Sequence, residues 1–92
     1  MKQEIFSVTD KLEMFEPPAA WTYIPIPSDK IPHVRPGGWG SIPIMATVGE
    51  STWKTSLFPL KNRGYFIPIK QMILKKEKLE AGELITIKYS SI

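Results

Sequence analysis

Ser41-Ile42-Pro43-Ile44-Met45-Ala46-Thr47-Val48-Gly49-Glu50-Ser51-Thr52-Trp53-Lys54-Thr55-Ser56-Leu57-Phe58 is the stretch that decides the fold. Ile42, Ile44, Ala46 and Val48 alternate with Ser41, Pro43, Met45 and Thr47. That period of two is the signature of a half-buried strand. After Gly49-Glu50 the alternation resumes, with Trp53, Thr55 and Leu57 on one parity and Lys54, Ser56 and Phe58 on the other. A two-residue loop that begins with glycine suits a type II′ hairpin. It pairs Val48 with Ser51, Ala46 with Trp53, Ile44 with Thr55 and Ile42 with Leu57. Both apolar parities then share a face, and small Ala46 opposite large Trp53 is sensible packing. A four-residue loop would also preserve parity, whereas a plain three-residue loop would not.

Working toward the N-terminus, residues 4–15 also alternate. Phe6, Val8, Leu12 and Met14 share one parity with Asp10 among them, so one strand is expected there. Glu16-Pro17-Pro18 ends it, because proline cannot donate to a ladder. Residues 20–26 are rich in aromatic and β-branched side chains and read as a second strand. Ser28 is placed to cap one helical turn, which Pro32 stops from growing.

Beyond the hairpin, Pro59 ends a strand. Lys61-Asn62-Arg63-Gly64 reads as a polar turn with glycine available for positive φ. Tyr65-Phe66-Ile67 restarts a strand. Pro68 fits the first turn of a helix over about 69–78. Its apolar side is Ile69, Met72, Ile73 and Leu79, with Lys70, Lys75 and Glu77 outward and Ala81-Gly82 closing it. Residues 84–90 form the last strand, with Ile85, Ile87 and Tyr89 on one face. The sum is mainly β: a small barrel or split barrel of about six strands with one helix in the C-terminal half.

Composition bounds the rest. The chain has 92 residues, so a single domain over 1–92 is expected. A core this thin favours a homodimer. Twelve cations against nine carboxylates give a net charge of +3, which permits an anionic partner such as nucleic acid without requiring one. No cysteine is present, which excludes disulfides, thiolate metal sites and thiol nucleophiles. No apolar run has the length of a signal peptide or a membrane span, so the cytoplasm is the default location and no membrane partner is expected.

No Gly-x-Ser-x-Gly, His-Glu-x-x-His or Walker-type motif occurs, so no catalytic residue, metal or cofactor is assigned. His33 is alone in a loop. Asp10 is the one carboxylate on an apolar strand face, where burial would raise its pKa and suit it to act as a base. Gly37-Gly38-Trp39-Gly40 leads into a strand rather than a helix, so it reads as a turn with a Trp anchor rather than a phosphate loop. The cations Arg35, Lys54, Lys61 and Arg63, with Trp39, Ser41 and Ser56, form the candidate site for a ligand or anion. Cations beside aromatics are also the kit for single-stranded nucleic acid.

Gly38-Trp39-Gly40-Ser41-Ile42-Pro43, Gly49, Trp53-Lys54-Thr55-Ser56-Leu57-Phe58-Pro59, Tyr65-Phe66-Ile67-Pro68-Ile69-Lys70 and Glu80-Ala81-Gly82-Glu83-Leu84-Ile85 together carry a resemblance over about residues 4–90. The chain resembles the bacterial and archaeal family of unknown function numbered nineteen-oh-five. The resemblance implies a double-split β-barrel, the architecture of AbrB- and MazE-like regulators, in which two chains interleave and bind DNA. It implies no activity. Where relatives carry a longer helix and a basic pair before the Trp-Gly-Ser turn, this chain has Pro32, Pro36 and Gly37-Gly38, leaving Arg35. The expectation is a non-enzymatic binding or interaction module, with a nucleic-acid-binding regulator and a small anionic ligand binder as the alternatives.

The hairpin register makes a direct prediction. One residue inserted between Gly49 and Glu50 inverts the parity match. It should cost at least about 2 kcal/mol, a fall of roughly 10 °C for a domain of this size, read by thermal denaturation. An unchanged melting curve would overturn the register.

Overall fold

A computed structural model describes residues 4–16, 21–32, 40–60 and 64–92. Among these residues seven strands form one antiparallel sheet: β1 (Ile5–Lys11), β2 (Glu13–Met14), β3 (Thr22–Ile26), β4 (Ile42–Val48), β5 (Ser51–Pro59), β6 (Tyr65–Pro68) and β7 (Leu84–Ser91). Their spatial order is β1-β7-β4-β5-β6-β3-β2, and the sheet curls into a nearly closed barrel. One short helix, α1 (Gln71–Glu77), lies between β6 and β7, and a single 3-10 turn (Ser28–Lys30) follows β3.

The central hairpin has the expected register. Val48 faces Ser51, Ala46 faces Trp53, Ile44 faces Thr55 and Ile42 faces Leu57. Gly49 has φ 59° and Glu50 stays at negative φ, the pattern of a type II′ turn. Residues flanking such a turn exchange both of their hydrogen bonds, so Ser51, Trp53, Thr55 and Leu57 bond to β4. Pro43 and Ser56 then form a non-bonded pair, which is why a proline is tolerated inside β4. Pro59 sits past the start of β4, so it forfeits no bond to that strand.

The strand expected over residues 4–15 is divided in two. β1 pairs with β7 from Ile5↔Ser90 to Lys11↔Leu84, and β2 pairs with β3 at Glu13↔Tyr23 and Met14↔Thr22. Leu12, 1% exposed, is the joint. Its amide donates to the Glu83 carbonyl (2.8 Å), and its carbonyl accepts from the Gly82 amide (2.7 Å). One bent ribbon therefore joins the two ends of the sheet order. Beyond the bend Met14 points outward, so the single-face alternation ends at Leu12. This division accounts for seven strands where about six are expected.

The helix is shorter than the expected 69–78. Pro68 belongs to β6, and the chain turns helical only after Lys70. The buried helix residues are Ile73 and Leu74, whereas Met72 is 71% exposed, which corrects the expected apolar side. The helix ends at Lys78, in the left-handed conformation at φ 55°, not at Ala81-Gly82. The Leu79 amide reaches back to the Leu74 carbonyl (2.8 Å), a Schellman closure. Glu77, expected outward, instead accepts a hydrogen bond from the buried Ser51 hydroxyl (2.6 Å) and ties α1 to the hairpin. The 3-10 turn also differs from expectation, for Ser28 makes no side-chain cap.

The barrel interior is aliphatic, with Ile24, Ile26, Ile42, Ile44, Leu57, Ile67 and Ile87 all essentially inaccessible. Among the described residues, the buried Trp53 indole N–H has no hydrogen-bond partner. Gly64, at φ 50°, lies against the Ile26 carbonyl so closely that a Cβ would collide with it. That contact seats the end of the β5–β6 hairpin on the end of β3.

Tyr89 joins the two walls of the barrel. Its hydroxyl donates to the Lys30 carbonyl (2.6 Å), and its ring stacks on Phe6 (5.5 Å between centroids). Burial, with a smaller contribution from the Asp29 carboxylate, pushes its ionisation well above the ordinary tyrosine range. An unfolded chain ionises Tyr89 near pH 10, whereas the fold holds the proton. The stability from this group is therefore complete below about pH 10 and falls as the pH rises beyond it. Tyr89→Phe should cost about 1–2 kcal/mol at neutral pH, because the Lys30 carbonyl loses its donor. The variant should also lose stability less steeply than wild type above about pH 10, measured by urea titration across that range.

Candidate functional site

The barrel has a split, and the sequence places it. β6 is only four residues long because the chain turns into α1 after Pro68. All four of those residues pair with β3, from Tyr23↔Pro68 to Ile26↔Tyr65. Its ladder with β5 has two pairs, Phe58↔Phe66 and Pro59↔Tyr65. From Ser51 to Leu57, β5 therefore has β4 on one side and, among the described residues, no strand on the other. The backbone groups of Thr52, Lys54 and Ser56 point toward that open side, since their neighbours are the ones that bond to β4. Among the described residues no backbone hydrogen bond reaches them there.

A groove of about 440 Å³ lies beside this edge, lined by Trp21, Thr22, Thr55, Phe58, Pro68, Ile69, Lys70 and Gln71. Its walls are mostly apolar, and among the described residues Lys70 is the one charge that lines it. Two backbone bonds fix the Trp21 wall: the Phe15 amide to the Trp21 carbonyl (2.9 Å) and the Ile69 amide to the Thr22 carbonyl (2.9 Å). Trp21 itself is 58% exposed. On the same outer face of β3 and β6, Phe15 stacks on Tyr23 (4.0 Å between centroids), and Phe66 meets Phe15, Tyr23 and Phe58 at 5.1, 5.4 and 5.6 Å. These rings lock one another, so the aromatic face is rigid where it meets the groove.

Two other depressions are lined in part by charged side chains. One, of about 640 Å³ beside α1, is lined by Lys75, Lys78, Glu80 and Glu83 among others. The second, about 510 Å³ at the barrel mouth, carries Asp10 and Glu13 with Tyr65. Asp10 is half-exposed, and its carboxylate accepts the Lys11 amide (2.7 Å). Among the described residues, no group of three or more His, Asp or Glu is placed to hold a metal, and no helix is long and apolar enough to cross a membrane.

Of the residues expected to bind a ligand, Arg35, Trp39, Lys61 and Arg63 lie outside the described residues. Lys54 and Ser56 fall on one outer face of β5, exposed and half-buried respectively. Ser41 immediately precedes Ile42, the partner of Leu57. Sequence reasoning missed Trp21, Phe58, Pro68 and Lys70 as a site. A signal was present: Phe58 sits on the polar parity of its strand, and Trp21 and Tyr23 sit opposite in parity to the buried Thr22, Ile24 and Ile26.

A mainly β, nearly closed antiparallel barrel with one short helix defines a small-barrel domain with a side groove. Residues 9–88 match the family model described as Domain of unknown function (DUF1905), and the chain belongs to that family. No curated protein matches the chain.

Two tryptophans separate groove from core. Trp53 is 7% exposed, so Trp53→Ala should cost about 3–5 kcal/mol. Trp21→Ala, at an exposed site, should cost less than about 1 kcal/mol. Urea unfolding of both variants checks the contrast.

Proposed function

We propose that this protein is a non-enzymatic binding module whose binding site is the groove between Trp21, Phe58 and Pro68. One observation carries the reading: an apolar groove with an exposed tryptophan opens where the barrel is split, on a rigid aromatic face. Exposed aromatics at a concave site supply large contact area at low entropic cost. The outer β5 face supports the earlier candidates Lys54 and Ser56 as groups beside the groove rather than as its floor. Lys70, exposed on the opposite side, gives the site a positive rim.

The test is amide chemical-shift mapping against three probes: indole-3-acetate, an acidic peptide with aromatic residues, and a mixed oligonucleotide at about 50 mM and 200 mM salt. Shifts centred on Trp21, Phe58 and Ile69, lost in Phe58→Ala, are the expected result for indole-3-acetate or the peptide. Oligonucleotide binding that weakens steeply with salt, with shifts away from the groove, would overturn it in favour of a nucleic-acid regulator. Absence of shifts with every probe would also overturn it.

A further inference from the structure

The side of β5 that faces away from β4 is a strand edge from Ser51 to Leu57. Among the described residues, Thr52, Lys54 and Ser56 present unpaired backbone donors and acceptors on the same side as the groove. Resting on the groove reading, we propose that an acidic, extended peptide segment of a partner protein binds by adding a strand to this edge. Its backbone pairs with Thr52, Lys54 and Ser56, and its apolar side chains enter the groove beside Thr55.

Three observations fix the occupant. The first is the edge itself, because extended peptides gain their affinity from main-chain hydrogen bonds to an unpaired strand. The second is the period of the surface. Lys54 and Ser56 lie on the outer face of β5 with Phe58, which lines the groove, whereas Thr55, which also lines it, has the opposite parity. An added strand therefore meets Lys54 and the Phe58 ring with one set of side chains and Thr55 with the alternate set. The third is charge. Lys54 on the edge and Lys70 on the groove rim are both exposed cations. Like charges placed opposite each other across a strand pair are destabilising, and opposite charges are stabilising. A second copy pairing symmetrically about Lys54 would set lysine against lysine. Lysine on an edge is a natural guard against self-pairing, and the same charge selects an acidic strand.

The experiment uses the full chain and an acetylated, amidated peptide Glu-Val-Glu-Phe-Glu-Val carrying a fluorophore. Anisotropy is expected to show saturable binding, with amide shifts at Thr52, Lys54 and Ser56. Ser56→Pro removes one of the edge amides that β4 does not use, so the hairpin ladder survives. The variant should weaken binding about tenfold or more, the worth of a lost main-chain bond with its strained neighbours, while melting close to wild type. If that variant fails to fold, peptides N-methylated at alternate residues give the same information: methyls on one parity should abolish binding and methyls on the other should not. Replacing the glutamates by lysines should also abolish it.

Equal affinity for Ser56→Pro, or indifference to N-methylation parity, would overturn strand addition and leave the groove reading standing. Groove shifts with indole-3-acetate but none with the peptide would do the same. Concentration-dependent dimerisation through the β5 edge would overturn the proposal by assigning the edge to a second copy. Silence of the groove toward every probe would remove both readings.

Discussion

The bend at Leu12 is the constraint on which the rest of the barrel depends. A curled sheet leaves two ends, and here a single ribbon is shared between them, β1 on one and β2 on the other. The ribbon changes partner at one residue. Leu12 buries its side chain, and its amide and carbonyl are both taken by the turn before β7. Burial of a leucine and two backbone bonds together contribute a few kcal/mol, on the order of about 3–5. That is a large fraction of the stability of a domain this small. The bend sets the position of β3, and β3 in turn draws β6 away from the N-terminal half of β5.

The split is thus a consequence of closure rather than a fault in it. A four-residue β6 cannot serve β3 and all of β5 together, and it pairs with β3 over its whole length. The helix takes up part of the remaining gap, anchored at its far end by Glu77 on Ser51. What is left between these fixed points is the apolar groove and the bare edge. Both are held by main-chain hydrogen bonds and stacked rings, so the site is shaped before anything enters it.

Much of this was legible in the sequence. The hairpin from Ile42 to Leu57 was, because alternation on both arms fixes the parity and the glycine-led turn favours the two-residue loop that the structure has. Ile85, Ile87 and Tyr89 were legible for the same reason. The partition of residues 4–15 was not, since alternation gives a strand's faces but says nothing of a change of partner midway. The helix was misplaced because Pro68 is as acceptable at a strand's end as in a helix's first turn. The groove was hidden for a related reason. Trp21, Phe58 and Pro68 come from three separate segments, and only the failure of β6 to continue along β5 brings their surfaces to one opening. Lys54 and Ser56 were singled out for their chemistry, and their place beside a bare strand edge could not be read from alternation.

The pairing of β1 with β7 has a consequence for the order in which the molecule can be made. Ile5 faces Ser90 and Lys11 faces Leu84, so β1 meets its neighbour only after β2 to β6 and α1 have been synthesised. The central hairpin can form locally and early, whereas the sheet end at β1 must wait on a contact of very high sequence separation. Until then a nascent chain carries Phe6, Val8 and Leu12 with no wall to rest against. Such a chain is exposed to association with its neighbours on the ribosome during that interval.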